Sequence, residues 1–350
     1  MKKILVTGGL GFIGSHTVVE LQNKGFEVLI IDNLANTTLE VLDKITSITT
    51  IKPAFFNFDL KDRKAVQDFF NNNFVDGIIH FAASKAVGES VQIPLDYYEN
   101  NIISLTNILQ EMKVKNLSNF IFSSSCTVYG QADELPITEN APVKPAESPY
   151  GNTKKINEEI IADAVKAHGL KAISLRYFNP IGAHATAKIG ELPIGVPQNL
   201  IPFITQTAVG IRQELSVFGN DYPTIDGTAV RDYIHVVDLA KVHIVALNRL
   251  LNNQQKNNYE VFNVGTGKGS SVLEVINAFE KVSNIKLNYK IVGRREGDIT
   301  AAYADTNLAN KELKWKAELT LEDALLSAWN WQLQLQLAVG SWQFSHKKAF

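Results

Sequence analysis

The sequence predicts a doubly wound α/β fold built on a parallel sheet, followed by a smaller α+β domain. Over the first 178 residues, short runs of β-branched and aromatic residues alternate with longer segments of helical periodicity. The first of these runs leads directly into a glycine-rich turn, which is typical of this class. After Asn179 the chain becomes rich in Gly and Pro, which indicates a change of domain.

The predicted elements of the first part follow one another in a regular order. Strands are predicted at Ile4–Thr7, Val28–Ile31, Ala54–Phe58, Gly77–Phe81, Phe120–Ser124 and Ala172–Tyr177. Helices are predicted at Ile13–Lys24, Asp62–Asn72, Ile102–Lys113 and Tyr150–His168. Apolar strands separated by helices indicate βαβ units, so we expect a sheet covered on both faces, with ligands bound beyond its carboxyl edge.

The second part is predicted to be less regular. We expect residues 1–178 and 179–350 to form two domains, and part of 233–264 is a candidate to pack back on the first. Gly182–Pro202 contains many Gly and Pro residues, which break regular structure. Short elements follow at Leu215–Phe218, Tyr233–Val237, Leu239–Leu251 and Val261–Val264.

Composition excludes several classes of protein. The 350 residues are 45% hydrophobic and 20% charged, with a net charge of −2, so no bulk charge favours nucleic acid or an anionic membrane. No apolar stretch reaches the roughly 18 residues of a spanning helix. The single cysteine, Cys126, permits no intrachain disulfide and no multi-cysteine zinc site. We expect a cytoplasmic globular enzyme without a metal.

The glycine turn predicts a Rossmann-type cofactor site. Gly8, Gly11 and Gly14 follow the first strand with G-x-x-G-x-x-G spacing and lead into a helix. Glycines allow a tight turn and close approach of a pyrophosphate, and the helix N-terminus favours an anion. A turn that requires positive φ is the alternative explanation. The position at the first strand–helix junction favours a dinucleotide.

Two carboxylates are candidates to bind the adenosine part. Asp32 ends the second strand 18 residues after Gly14, where it can accept hydrogen bonds from ribose hydroxyls. No Arg or Lys follows between Asn33 and Val41, which favours NAD over NADP. Asp59 follows the third strand and can meet the adenine edge. Helix or turn capping is the alternative for both acids.

A serine, a tyrosine and a lysine form a candidate catalytic group. Tyr150 and Lys154 open a predicted helix, and their i, i+4 spacing places them on one face. Free tyrosine has a pKa of about 10, so a base near neutrality needs a nearby positive charge. Lys154 at about 4 Å offers that order of energy at an effective dielectric of about 20. Ser125, at the end of a strand, can share the proton, although a capping role is its alternative.

Together with further motifs, this group resembles the nucleotide-sugar epimerases of the extended short-chain dehydrogenase/reductase family. The motifs are Phe81–Ser90, Ser123–Gly130, Leu175–Pro180, Gly219–Thr224, Arg231–Val236 and Arg295–Asp298, and they extend the resemblance to about Trp331. Single motifs are shared across the family branch, whereas the ordered set is specific.

The resemblance implies a role for each matched residue. The catalytic residues are Ser125, Tyr150 and Lys154. The NAD contacts are Gly8, Gly11, Phe12, Ile13, Gly14, Asp32, Asn33, Leu34, Ala35, Asn36, Thr37, Asp59, Leu60, Phe81, Ala82, Lys85, Asn100, Tyr150, Lys154 and Phe178. The UDP-sugar contacts are Ser125, Thr127, Asn179, Asn199, Phe218, Arg231, Tyr233, Arg295, Asp298 and Ala302. Arginine forks suit a diphosphate, although a surface ion pair is the alternative for each arginine.

The implied activity is NAD-dependent interconversion of UDP-glucose and UDP-galactose through a 4-keto sugar. A homodimer formed through helices near Ile102–Lys113 and Tyr150–His168 is expected by the same resemblance. Two alternatives stay open. One is an epimerase or reductase acting on another sugar such as a UDP-uronic acid, and the other is a binding protein that uses an inactive dehydrogenase fold.

Two departures from related enzymes bear on the reaction. Nucleotide-sugar 4,6-dehydratases carry an Asp-Glu pair where this chain has Cys126 and Thr127, so the acid and base for elimination are missing. Ala302 falls where some epimerases have a bulky tyrosine, which predicts that UDP-N-acetylglucosamine and its galacto epimer are accepted. The alternative is that Tyr303 or a shifted loop refills the space.

Overall fold

The computed structural model describes residues 1–295 and 298–346. Its strands are β1 Lys3–Thr7, β2 Glu27–Asp32, β3 Ala54–Asn57, β4 Gly77–His80, β5 Asn119–Ser125, β6 Lys171–Tyr177, β7 Asn179–Ile181, β8 Leu215–Phe218, β9 Val230–Arg231, β10 Tyr233–His235, β11 Tyr259–Val264, β12 Ser270–Ser271, β13 Tyr289–Val292 and β14 Ala301–Ala302. Its α-helices are α1 Phe12–Asn23, α2 Glu40–Thr49, α3 Arg63–Asn72, α4 Val87–Gln92, α5 Pro94–Val114, α6 Pro149–His168, α7 Leu200–Ala208, α8 Val236–Leu251, α9 Val272–Ser283, α10 Asn307–Glu312 and α11 Leu321–His346, and Cys126–Tyr129 form a 3-10 turn.

The central sheet has seven parallel strands in the order β3-β2-β1-β4-β5-β6-β11. This arrangement confirms the predicted doubly wound α/β fold. The strand order reverses between β1 and β4, so their carboxyl ends diverge into a crevice where ligands of such sheets bind.

Two apolar layers cover the sheet because its strands alternate their side chains between the faces. On β5, Ile121 contributes to the layer shared with α1 and α8, whereas Phe120 and Phe122 join the layer shared with α3, α5 and α6. All three side chains are buried. This alternation fixes which face each polar residue at the strand end can reach.

The predicted strands of the first part are present, with ends that differ by one residue or so. The helix predicted to begin at Ile102 begins instead at Pro94, because proline is well suited to a first helical position. The predicted irregular segment Gly182–Pro202 also ends earlier than expected, since α7 starts at Leu200. Pro202 lies in the first turn of α7, where a missing N–H is tolerated.

The second part is built from small sheets and its own apolar core. β7 pairs with β10, β9 lies between β12 and β14, and β8 pairs with β13. Helices α7, α9 and α11 enclose a core that includes Phe279 and Trp329, whose rings meet edge to face. β11 pairs with β6 in the main sheet. Among the helices of the described residues, none is long and apolar enough to cross a bilayer.

Candidate active site

The glycine turn lies where β1 ends, and two of its glycines cannot be replaced without displacing backbone. Gly8 has φ +67°, and a Cβ there would lie 2.8 Å from the Ala82 nitrogen. A Cβ on Gly14 would lie 2.1 Å from the Gly8 carbonyl oxygen. Gly11 is the N-cap of α1 and provides no side-chain cap, so the backbone N–H groups of Phe12 and Ile13 are left for a ligand. The turn therefore fits a pyrophosphate.

Asp32 lies beside this turn at the end of β2. Its carboxylate accepts hydrogen bonds from the N–H groups of Leu10 at 3.1 Å and Leu34 at 3.0 Å. Burial raises the pKa of Asp32, and these two hydrogen bonds oppose the shift. The carboxylate therefore shapes the turn, which is the capping explanation that the sequence left open, and its contact with the adenosine ribose stays a prediction.

A rim of polar groups continues from Asp32 along the crevice. The Asn33 side-chain amide donates to the Asp59 carboxylate at 3.3 Å, so the two predicted adenosine contacts lie together. The Thr37 hydroxyl donates to the Leu10 carbonyl at 2.7 Å. Along the same rim Ala35 and Asn36 are exposed, Leu34 is half-buried and Leu60 is buried.

The far wall of the crevice is formed after β4. The centroid of the Phe81 ring lies 4.7 Å from that of the His243 ring, and the backbone of the neighbouring Ala82 packs against Gly8. Lys85 extends over the Phe12 ring, with Nζ 5.9 Å from its centroid. The predicted contact Asn100 donates a hydrogen bond to the Ser84 hydroxyl at 3.1 Å.

The three predicted catalytic residues meet at the carboxyl ends of β5 and β6. Helix α6 starts here because Ser148 caps it, accepting from the Gly151 N–H at 3.1 Å. Lys154 Nζ donates to the Ser123 carbonyl at 2.6 Å and lies 5.9 Å from the centroid of the Tyr150 ring. The Thr127 hydroxyl donates to Ser125 Oγ at 3.0 Å.

The electrostatics of this group differ from the sequence-based expectation. Burial raises the pKa of Tyr150, and its hydrogen bond with Ser125 opposes the shift only in part. Burial lowers the pKa of Lys154 to about 7, while the Glu158 carboxylate opposes that change. Burial is thus the main influence on the Tyr150 pKa in this geometry, and the expected lowering by Lys154 is not among the influences that oppose it.

The predicted diphosphate contacts gather around one carboxylate. Arg231 donates to Asp298 Oδ1 at 2.6 Å, and Arg295 Nη2 lies 3.5 Å from the same atom. The Arg295 guanidinium lies 5.8 Å from the centroid of the Phe218 ring. Glu296 and Gly297, which belong to the same motif, lie outside the described residues.

The remaining predicted substrate contacts Tyr233, Asn199 and Asn179 lie on or beside β10, α7 and β7. Tyr233 is buried, which raises the pKa of its hydroxyl to about 12. Asn199 donates to the Glu191 carboxylate at 2.6 Å. The Asn179 N–H donates to the Asp232 carbonyl at 2.9 Å.

Ala302 lies on β14 directly opposite Arg231 in register. It is buried in an apolar cluster that also contains Phe178, the predicted nicotinamide neighbour. A small side chain therefore occupies the position between the predicted cofactor and diphosphate contacts.

Sequence reasoning missed a buried carboxylate that organises this region. Asp232 accepts hydrogen bonds from the N–H groups of Thr266 at 2.8 Å, Gly267 at 3.1 Å and Ala304 at 3.1 Å. It stands next to the predicted contacts Arg231 and Tyr233 in the chain, and that position was the only signal available. Its partners come from distant segments, so the sequence alone does not reveal them.

Comparison with known proteins agrees with this arrangement. The family model for GDP-mannose 4,6 dehydratase matches residues 5–327. The crystal structure of a UDP-glucose 4-epimerase from Stenotrophomonas maltophila, with bound NAD and formylated UDP-arabinopyranose, is 45% identical with a TM-score of 0.93, covering 97% of this chain and 100% of that one. The structure of the UDP-Glc/GlcNAc 4-epimerase from Campylobacter jejuni is 36% identical with a TM-score of 0.82, covering 95% of this chain and 100% of that one.

The doubly wound sheet, the glycine turn and the Ser–Tyr–Lys group together define an extended short-chain dehydrogenase/reductase. The UDP-glucose 4-epimerase of Haemophilus influenzae is 50% identical over 330 residues, which are 94% of this chain and 97% of that protein. The chain belongs to the UDP-glucose 4-epimerase family, which confirms the resemblance drawn from the motifs.

The dehydratase reaction has no support from the side chains beside Ser125. Burial raises the pKa of the Cys126 thiol to about 12, so the thiol is a poor acid or base near neutrality. The Thr127 hydroxyl is engaged with Ser125. Neither residue replaces the carboxylic acids that elimination of water requires.

Proposed function

We propose that this chain interconverts UDP-glucose and UDP-galactose by inverting C4 of the hexose through a 4-keto sugar, with NAD as its cofactor. The observation that carries the proposal is the convergence of Ser125, Tyr150 and Lys154 at the mouth of a crevice whose glycine turn fits a dinucleotide. In addition, this chain is 50% identical to a UDP-glucose 4-epimerase.

The residues around the crevice would hold NAD by its two phosphates and its adenosine. The N-terminus of α1 at Gly11 would bind the pyrophosphate, and Asp32, which accepts from the Leu10 N–H beside it, would accept hydrogen bonds from the ribose. Phe81, Lys85 and Phe178 line the path toward the nicotinamide. When bound, NAD supplies the reversible two-electron oxidation at C4 of the sugar.

The catalytic side chains would move the proton of the sugar 4-hydroxyl. Tyr150 accepts this proton as the 4-keto group forms and returns it when the alcohol is restored, and Ser125 shares the hydrogen bond. Lys154 supplies a buried positive charge 5.9 Å from the Tyr150 ring centroid. Because burial alone opposes ionisation of Tyr150, this charge is essential to make the phenolate accessible.

The substrate would be anchored by its nucleotide diphosphate and left free at its sugar. Arg231 and Arg295 both lie close to one carboxylate, Asp298, so their two charged forks are near each other, as binding of a diphosphate requires. Asn199, Phe218 and Tyr233 lie on the surrounding elements. A firm anchor with a roomy sugar pocket allows the 4-keto sugar to present either face.

The pocket should also accept N-acetylhexosamines. In support, Ala302 is a small side chain in the cluster that contains Phe178, and the Tyr303 ring packs toward Gly269. A Cβ on Gly269 would lie 3.1 Å from that ring. We therefore propose activity on UDP-N-acetylglucosamine and UDP-N-acetylgalactosamine as well.

Separate incubation with UDP-glucose and with UDP-N-acetylglucosamine, without added NAD, tests both statements. Formation of the two galacto epimers supports them. If only UDP-glucose is converted at saturating substrate, the proposed N-acetylhexosamine activity is contradicted and the proposed UDP-glucose epimerisation is retained. Preference for a substrate with a C6 carboxylate would favour the UDP-uronic acid alternative.

The domain organisation is proposed on the same basis. Residues 1–178 carry the cofactor crevice, and residues 179–350 carry the nucleotide-sugar contacts, except that β11 pairs with β6 in the main sheet. A cytoplasmic location is proposed because the single cysteine forms no intrachain disulfide.

A homodimer through the helices at α5 and α6 is also proposed. Exposed apolar side chains lie along α4 and α5, namely Val91 at 62%, Leu95 at 78% and Ile103 at 38% exposure. Sedimentation of the wild-type chain and of Ile103→Glu tests this surface. A dimer that becomes a monomer in the variant supports it, whereas a monomeric wild type contradicts it.

A further inference from the structure

The strand that ends in the proposed catalytic serine carries a second serine with a buried partner. Alternation along β5 turns Ser124 toward the face covered by α6. There its hydroxyl donates to Glu158 Oε1 at 2.5 Å. Arg176, which pairs with Ser124 in the register of β5 and β6, donates to the same carboxylate from Nε at 3.0 Å and from Nη2 at 2.5 Å.

Glu158 is thereby linked to both catalytic elements. Tyr150, Lys154 and Glu158 follow one another at four-residue intervals on α6, so they share one face of the helix. Ser124 immediately precedes Ser125. A single carboxylate therefore connects the helix that carries the tyrosine and lysine to the strand that carries the serine. Its exposure is 7%, so water does not screen these contacts.

We propose that Glu158 is a positioning residue for the reaction, which holds α6 against β5 and balances the buried charge of Lys154. This inference rests on the proposed epimerase activity. Arg176 supports this role, because its Nε and Nη2 groups hold the Glu158 carboxylate by hydrogen bonds. Its guanidinium lies 4.8 Å from the centroid of the Tyr129 ring. Glu158 touches no reacting atom and acts through Ser125, Tyr150 and Lys154.

The polar groups around Lys154, Tyr150 and Glu158 define the electrostatic surroundings of the catalytic group. Glu158, His80 from β4 and the Ser123 carbonyl from β5 act on or contact Lys154. Tyr177 from β6, Tyr97 from α5 and Cys126 from the 3-10 turn act on Tyr150, and Arg176 from β6 binds Glu158. Burial lowers the pKa of His80 to about 3, so His80 is neutral at working pH. Within this set, the Glu158 charge favours protonated Lys154.

The pH profile of turnover distinguishes this role from a merely structural one. Removing a negative charge beside Lys154 lowers the apparent pKa values of the coupled Tyr150–Lys154 pair. For Glu158→Gln we expect kcat to fall about tenfold and both limbs of its pH profile to move about one unit lower. The KM for UDP-glucose and the bound NAD content should stay close to wild type, because Glu158 contacts neither ligand.

A second buried ion pair provides the matched control. Glu260 accepts from Arg249 Nε at 2.7 Å and Nη2 at 2.9 Å, with burial similar to that of Glu158. Glu260→Gln should lower the melting temperature as Glu158→Gln does, with kcat within about twofold of wild type and no pH shift. Equal behaviour of the two variants would overturn the proposal.

Ser124→Ala tests the strand contact if Glu158→Gln does not fold. It removes one hydroxyl and leaves the charges, so we expect kcat to fall about threefold with the pH limbs unchanged. An unchanged kcat would overturn the positioning role. If the wild-type chain epimerises UDP-glucose and Glu158→Gln shows no shift in the pH profile of kcat, this inference alone is overturned. If the wild-type chain does not epimerise UDP-glucose, the proposed function is overturned as well.

Discussion

Each end of the central sheet carries a buried Arg–Glu ion pair, and the surroundings of the two pairs differ. At the carboxyl end, Glu158 and Arg176 form a buried pair that also binds Ser124. At the amino end, Glu260 and Arg249 form a buried pair that joins β11 to α8, with a further bond from Arg249 to the Glu312 carbonyl at 2.9 Å. The pairs are alike in geometry and burial. Their neighbours differ, and the neighbours decide whether a buried pair serves stability alone or also the reaction.

The largest effect is expected at the carboxyl end, from the phenol itself. Tyr150→Phe keeps the ring and removes the group that exchanges the proton, so kcat should fall by about 10²–10⁴-fold. Turnover of UDP-glucose, with bound NAD measured in parallel, checks the prediction. Retained NAD with lost turnover supports the assigned role, and unchanged turnover would contradict it.

At the amino end, the expected effect is on stability. Glu260→Ala leaves the buried Arg249 charge with only the 3.5 Å contact to the Glu312 carboxylate, which should lower the free energy of unfolding by about 1.5–3 kcal/mol. Denaturant unfolding measures this change, and turnover per folded molecule should stay at the wild-type value. A loss of turnover in the folded variant would show that the two ends of the sheet are coupled, and it would contradict the assignment of the Glu260–Arg249 pair to stability alone.

The anchor for the diphosphate gives the next effect. Arg231→Ala removes a charged donor and should raise the KM for UDP-glucose by about 10–100-fold, as expected for lost hydrogen bonds to a charged group. Steady-state kinetics test it, and Arg249→Ala provides a control arginine outside the site. An unchanged KM in Arg231→Ala would assign Arg231 to the structural contact with Asp298 only.

The smallest effect concerns the choice of sugar. Ala302→Tyr places a bulky ring in the cluster that contains Phe178, so turnover of UDP-N-acetylglucosamine should fall by about tenfold while UDP-glucose turnover changes little. The ratio of kcat/KM for the two substrates measures the change. Equal losses on both substrates would show that the variant disturbs the pocket without selecting between sugars.

Local signals in the sequence were sufficient to predict much of the candidate site at the carboxyl end of the central sheet. The glycine turn, the acid at the end of β2 and the four-residue spacing of Tyr150 and Lys154 depend on contacts within short stretches of chain. Six of the seven strands followed from alternating strands and helices, because parallel strands need helical crossovers. The seventh, β11, lies in the segment that the sequence left only as a candidate to pack back.

Contacts between distant segments were beyond the reach of sequence reasoning. Glu158 meets Arg176 only because β5 and β6 pair with Ser124 opposite Arg176, which a pattern of residue types does not specify. Asp232 likewise binds N–H groups from two later loops. The burial that raises the pKa of Tyr150 was not predictable either, since its extent depends on the packed tertiary structure.

The most direct test of the account follows the reaction from both directions. Purified chain, without added NAD, is incubated separately with pure UDP-glucose and with pure UDP-galactose, and both sugars are measured over time. We predict that the two reactions converge on one ratio of the two epimers, because a reversible reaction reaches the same equilibrium from either side. They should do so without added NAD, because the same bound cofactor serves oxidation and reduction. Bound NAD without any interconversion in either direction would contradict the proposed function.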